Sequence, residues 1–206
     1  MFPRLFAFIF GVAALCGCRP TPATTAAVLT PVLEEKGSLQ KYWQMPAFEL
    51  IDQNGQAFNS VKMLGKLWVV DFFYSSCPGP CPALNSRLSA LHKAFSGENR
   101  VGFLSISSDP EKDSPEVLKQ YAAKFEADSR WVFLTGEVSA VYSLANQGFK
   151  LSLTRSENPV EPITHSTRLV LVDAQGWVRG FFEGVGEESA EAGQRLEDSI
   201  RRLLQE

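Results

Sequence analysis

Histidine is scarce in this chain: among 206 residues there are two, His92 and His165. Cysteine is little commoner, at Cys16, Cys18, Cys77 and Cys81. No histidine-rich or cysteine-rich cluster can be built from so few, so any soft metal site is small. Charge of one sign is also lacking. The net charge is −3 and no basic cluster occurs, which argues against nucleic acid and against an extended polybasic membrane face as partners. There is no internal repeat and no long low-complexity segment. The apolar run over 5–15 is too short to cross a bilayer comfortably, since a spanning helix takes about 20 residues.

What that first run does instead is set by its flanks. Arg4 precedes it, and Leu15-Cys16-Gly17-Cys18 closes it with small residues before the last cysteine. This reads as a secretory signal peptide over 1–17. Its end resembles the bacterial lipoprotein box, in which cleavage precedes a cysteine that is then lipidated. Cys18 is the expected lipid anchor, and Cys16 leaves with the signal. Residues 18–41 are rich in Thr, Pro and Ala over their first half and read as a lipid-anchored flexible tether. The remaining 42–206 are enough for one well-cored domain. That domain is expected in the periplasm or otherwise outside the cytoplasmic membrane, a setting in which disulfides persist.

The stretch 67–84, LWVVDFFYSSCPGPCPAL, organises the domain. Residues 67–74 are apolar, β-branched and aromatic except for Asp71, as in a central strand covered on both faces. Pro80 and Pro82 suit the first turn of a helix, where a missing N–H costs nothing. Leu84, Leu88, Leu91 and Phe95 then recur at helical spacing. Cys77 falls in the loop and Cys81 in the first turn. The partial positive charge of a helix N-terminus favours thiolate over thiol. A structural disulfide is a weaker reading, because closing so short a loop constrains the unfolded chain little. The pair reads as a redox dithiol or a metal pair.

Around this centre the remaining elements follow in order. Asn54-Gly55 between apolar flanks marks an N-terminal β-hairpin. Residues 101–107 form a second buried strand. Ser114 as N-cap and Pro115 at the first helical position open a helix running to about Phe125. A short strand at 131–134, a helix over 138–146 and an irregular segment over 147–163 come next. His165 precedes a hairpin of 167–173 and 177–183, and 189–204 form an amphipathic C-terminal helix. This order predicts an α/β fold with a central mixed sheet, helices on both faces and an N-terminal β-hairpin: the thioredoxin-like plan.

Three segments in this order resemble the SCO/SenC family: Cys77-Pro78-Gly79-Pro80-Cys81-Pro82, the run from Ile106-Ser107-Ser108-Asp109-Pro110 through Ser114-Pro115-Glu116-Val117-Leu118, and His165-Ser166. The resemblance covers about Pro46 to the C-terminus. It implies a thioredoxin-like, membrane-tethered domain whose two cysteines and histidine bind one copper ion, Cu(I) or Cu(II). The ligands would be Cys77, Cys81 and His165. It also implies a role in assembling the binuclear copper centre of cytochrome c oxidase, by delivering copper or reducing thiols. The partner would be the copper-bearing oxidase subunit or another copper chaperone. Two places depart from the family pattern: acidic residues common inside the cysteine loop and before the histidine are replaced here by Pro78-Gly79-Pro80 and by Thr164.

The donor set agrees with copper on chemical grounds. Soft thiolates select Cu(I), Zn(II) or iron–sulfur clusters. Two thiolates and one imidazole are one ligand short of a closed structural zinc site. His92 reads as a solvated or packing residue, and Asp109 and Asp113 as turn and helix-start residues. Three functions compete. The first is a copper metallochaperone, a carrier rather than a turnover enzyme. The second is a thiol–disulfide oxidoreductase using Cys77 and Cys81 with no obligatory metal. The third, a peroxidase of peroxiredoxin type, would need proline in place of Val70 and Thr or Ser in place of Tyr74.

Overall fold

The computed structural model of the chain describes residues 39–206. The expected signal peptide, Cys18 and all of the tether before residue 39 lie outside the described residues. Among the described residues no helix is long and apolar enough to cross a membrane.

The apolar run after Lys66 forms strand β3, Leu67–Phe73, buried along its whole length. It lies beside β4, Val101–Ser107, which is equally buried, and β4 lies beside β5, Trp131–Thr135; these three strands are parallel. Parallel neighbours need helical crossovers, and two helices supply them: α1, Cys81–Ala94, and α2, Pro115–Ala123. Two antiparallel hairpins close the sheet. The hairpin of β1, Glu49–Asp52, and β2, Ala57–Asn59, pairs with β5 through β1. At the other edge, β8, Arg168–Val172, pairs with β3 and then with β9, Val178–Glu183. The strand order is β2-β1-β5-β4-β3-β8-β9. Gly55, with φ +75°, makes the turn of the first hairpin in a region that glycine enters without steric cost.

Adjacent residues of a strand face opposite sides, and β3 shows what covers each. The Phe73 ring stacks on Tyr121 of α2, whereas Phe72 meets Phe149, which follows α3, Val138–Ser143. Asn85 of α1 donates to the Tyr121 hydroxyl at 2.7 Å, and Arg87 of α1 bonds the start of α4, Ser189–Leu203. Thus α1, α2 and α4 share one face and α3 covers the other, the mixed, doubly covered sheet expected of the thioredoxin-like plan. Gly184 permits the close fit of α1: a Cβ there would overlap Leu84 and the Thr167 carbonyl.

Two expectations are corrected. The helix expected over 138–146 is α3 followed by a π-helical turn, Leu144–Gly148. The segment expected to be irregular holds a separate two-stranded sheet of β6, Leu153–Arg155, and β7, Ile163–His165. Its strands are three residues long and bury only Leu153 and Ile163 fully, too little alternation to register as strand in the sequence. His92 is a packing residue: it is buried against Phe103 and Trp131, and its Nε2 lies 2.9 Å from Asp128 Oδ1.

Asp71 sits in the middle of β3 with no exposed surface. The Ser105 hydroxyl donates to its Oδ1 at 2.5 Å and in turn accepts from Trp131 Nε1, while Oδ2 has no partner. Burial raises its pKa from 3.8 to about 7, against smaller lowering effects of the Ser105 bond and of the nearby His165. Between these two values the unfolded chain has lost the proton and the folded chain keeps it, so stability falls as pH rises through this window and levels off above about 7. Replacing Asp71→Asn removes this penalty, which is roughly 4 kcal/mol when complete. Urea unfolding at pH 5 and pH 8 should show the gain of the Asn variant over wild type growing with pH; a gain that is constant would contradict the assignment.

Candidate metal centre

The chain leaves β3 at Phe73 and turns into α1 within a few residues, so the loop that follows must be held without a regular ladder. Asp113 does this. It is fully buried, accepts the Ser75 N–H at 3.1 Å and the Ser107 hydroxyl at 2.6 Å, and also accepts from the Ser75 hydroxyl. Phe73 O accepts the Ser108 N–H at 2.6 Å. These bonds tie the loop after β3 to the end of β4. Asp113 is thus a support of the cysteine loop as well as a residue just before α2, a role that its Asp-Ser-Pro setting concealed.

The loop delivers the two thiols into different surroundings. Cys81 is the first residue of α1 and is fully buried, while Cys77 is partly exposed in the loop. Burial pushes the Cys77 thiol up. The neighbouring His165 imidazole, the Cys81 side chain and the backbone N–H groups of Cys81 and Gly79 outweigh it and bring the pKa down to about 6. No side chain caps α1; the Cys77 sulfur lies beside the first N–H of the helix, that of Cys81, and beside that of Gly79 in the loop before it. The Cys81 thiol moves the other way, raised by burial and then by the neighbouring Cys77. The sequence predicts one activated thiol; the structure selects the loop cysteine rather than the one inside the helix.

His165 arrives from β7, opposite Leu153 in the small sheet. That sheet is held in place by Asn146 of the π turn, whose amide donates to Leu153 O at 2.9 Å and accepts from Leu153 N at 3.1 Å. The His165 Nδ1 lies 3.0 Å from the Ser166 carbonyl. A carbonyl only accepts, so Nδ1 carries a proton and Nε2 is the ring nitrogen left to ligate. Nε2 faces Cys81 Sγ at 3.2 Å. Tyr74, buried, meets the imidazole edge-on with ring centroids 5.7 Å apart.

The donor atoms of Cys77, Cys81 and His165 all lie within 4.8 Å of one another, the one cluster of this kind among the described residues. All three residues singled out in the domain therefore meet, and Cys18 lies outside the described residues. Two sulfurs and an imidazole whose tautomer already exposes Nε2 fit a soft metal ion, and the Ser166 carbonyl supplies the outer hydrogen bond that orients a ligating histidine. Asp71, Asp113, Tyr74 and Asn146 were not assigned to the site from sequence. Asp71 alone left a signal there, as the single charge in an apolar run.

A family model described as SCO1/SenC matches residues 37–201. A SCO1/SenC family lipoprotein from Bacillus anthracis str. Ames superposes with a TM-score of 0.72 at 29% identity, covering 79% of this chain and 95% of that one. BsSco, described as a member of the Sco family of cytochrome c oxidase assembly proteins with a disulfide switch, gives 0.69 at 25% identity, covering 82% and 100%. Yeast Sco1 with copper bound gives 0.62 at 25% identity, covering 76% and 88%.

The split between the two thiols has a direct readout. Alkylation rates followed against pH, with mass spectrometry to identify the labelled site, should give a midpoint near pH 6 for Cys77 and leave Cys81 unreactive beyond the ordinary thiol range. Two thiols titrating together near about 8.5 would remove the electrostatic account of the loop.

Proposed function

This chain belongs to the SCO1/SenC family, and from that membership we propose that it is a membrane-tethered copper-binding metallochaperone and thiol-redox protein that assists assembly of the binuclear copper centre of cytochrome c oxidase. The observation that carries the reading is the convergence of Cys77, Cys81 and His165 donor atoms within 4.8 Å. Copper is the cargo. Three ligands hold it while leaving a side open for transfer, and the thiolates favour the cuprous ion. Binding requires Cys81 to give up its proton, so uptake weakens as pH falls. The copper seen in yeast Sco1 and the oxidase-assembly description of BsSco support the cargo and the partner; the partner is the copper-bearing oxidase subunit or another copper chaperone.

A second reading, thiol–disulfide exchange with no obligatory metal, draws on the asymmetry of the pair. Cys77 as thiolate attacks a partner's disulfide and forms a mixed disulfide. Cys81 then loses its proton and resolves it, which leaves Cys77–Cys81 oxidised and the partner reduced to a dithiol. Neither step consumes an imidazole, so His165 separates the two readings.

In His165→Ala, disulfide formation between Cys77 and Cys81 should persist, with the Cys77 titration moved upward because the imidazole beside the thiol is gone. Copper retention should fall by at least the roughly 10–100-fold known for losses in the outer shell. Chelator competition run beside a redox titration tests both. Equal copper affinity in the two proteins would reject the three-ligand site and promote the exchange reading.

The membrane tether rests on the cysteine box ending at Cys18, and the Bacillus anthracis relative is itself a lipoprotein. Mass spectrometry of the mature protein should find a diacylglyceryl-modified Cys18 as the first residue, and Cys18→Ser should abolish both modification and cleavage. An intact Met1 on the wild-type protein would mean an uncleaved signal anchor.

A further inference from the structure

The loop that carries the two thiols has no charged side chain: between Cys77 and Cys81 stand only Pro78, Gly79 and Pro80. Yet it is not free of negative charge. The connection between β6 and β7 folds over it and sets the Glu161 carboxylate against Gly79, so that a Cβ built on Gly79 would stand 3.2 Å from Glu161 Oε1. A side chain at this position would move the tip of Glu161 by only a few tenths of an ångström. Glu161 also shares a field with the thiols: the Tyr74 hydroxyl, which meets His165 edge-on, is acted on by Cys77, Cys81 and Glu161 together. The placement is tied to the histidine, since Glu161 lies four residues before His165 on one short hairpin and the two are carried as a unit.

We infer that Glu161 is the anionic group of this copper site and sets its preference between the two oxidation states of copper, favouring Cu(II) relative to Cu(I). The inference rests on the copper reading above. Glu161 is not one of the three clustered donors, so its action is that of a fixed charge at the mouth of the site. Gly79 is two residues from each cysteine, at most about 7 Å between Cα atoms, so the carboxylate stands on the order of 10 Å from the bound ion. A dication feels such a charge twice as strongly as a monocation. At that range, with an effective dielectric between protein surface and water, the extra unit is worth about a three- to tenfold bias in affinity. The charge is exposed, so the bias shrinks as salt is added.

The test uses the full chain and copper salts alone. Cu(II) and Cu(I) affinities are measured by chelator competition for wild type, Glu161→Gln, Glu157→Gln, and Glu161→Gln combined with Gly79→Asp. Glu161→Gln should lower the ratio of Cu(II) to Cu(I) affinity about three- to tenfold, equivalent to raising the copper potential by about 30–60 mV. Glu157→Gln, which removes a charge from the same hairpin, should leave the ratio near that of wild type. Gly79→Asp should restore it by returning a carboxylate to the same place from the loop side. An unchanged ratio in Glu161→Gln overturns the inference, as does an equal fall in both affinities, which would mean that Glu161 only holds the hairpin in shape. A lowered ratio that Gly79→Asp fails to restore also counts against a role for charge. Wild type that retains copper in neither state would defeat the copper reading and this inference with it.

Discussion

The contact between His165 Nε2 and Cys81 Sγ, at 3.2 Å, joins two parts of the molecule that are built independently. Cys81 belongs to the main sheet's first crossover helix. His165 belongs to a two-stranded sheet that shares no strand pairing with the main one. A metal-binding cluster exists only if both are held to within a fraction of an ångström, because a soft ion makes bonds of fixed length. Much of the polar architecture serves that requirement. Asp113 fastens the cysteine loop to β4, Asn146 fastens β6 to the π turn, and the Ser166 carbonyl fixes the imidazole tautomer. Asp113, the fully buried one of the three, has partners on both carboxylate oxygens, which allows it to be buried at low cost.

Asp71 keeps one carboxylate oxygen without a partner, and it lies close enough to the site to act on His165 and Cys81. A carboxyl in the middle of a fully buried strand keeps its proton up to about pH 7, because burial raises its pKa. The same burial raises the Cys81 thiol. The inner half of the site is therefore a region that resists negative charge, and the outer half, with Cys77 on the N–H groups of Gly79 and Cys81, welcomes it. A cation entering the site neutralises the charge that the inner half cannot carry alone. This gradient follows from depth in one fold.

The far end of the sheet does a different job. Arg179, buried, pairs with Asp173 and Glu206 and donates to the Leu39 and Gln40 carbonyls. Tyr42 and Met45 donate to the Val178 and Gly176 carbonyls. The described chain thus enters beside the turn between β8 and β9, which lies where β3 begins. The cysteines follow the opposite end of β3. The two ends of that strand separate the first described residues from the two cysteines.

The sequence by itself determined the elements with strong local signals. The buried strand at 67–73, the proline-started helix, the Ser114–Pro115 helix start and the two closing hairpins are set by hydrophobic periodicity, turn chemistry and backbone constraints that act over a few residues. The cysteine pair was legible for the same reason, since its prolines mark the strand-to-helix junction. Only the tertiary structure decided the rest. The small sheet bearing His165 has too few buried residues to announce itself and is held by Asn146 from a neighbouring element. Which thiol is acidic depends on depth and on backbone N–H groups, neither of which a spacing encodes. Asp113, 36 residues after Cys77 in the chain, and Glu161, far along from Gly79, come to the loop through folding alone, because pairing across a sheet and packing over a loop bring together residues that have no local reason to meet.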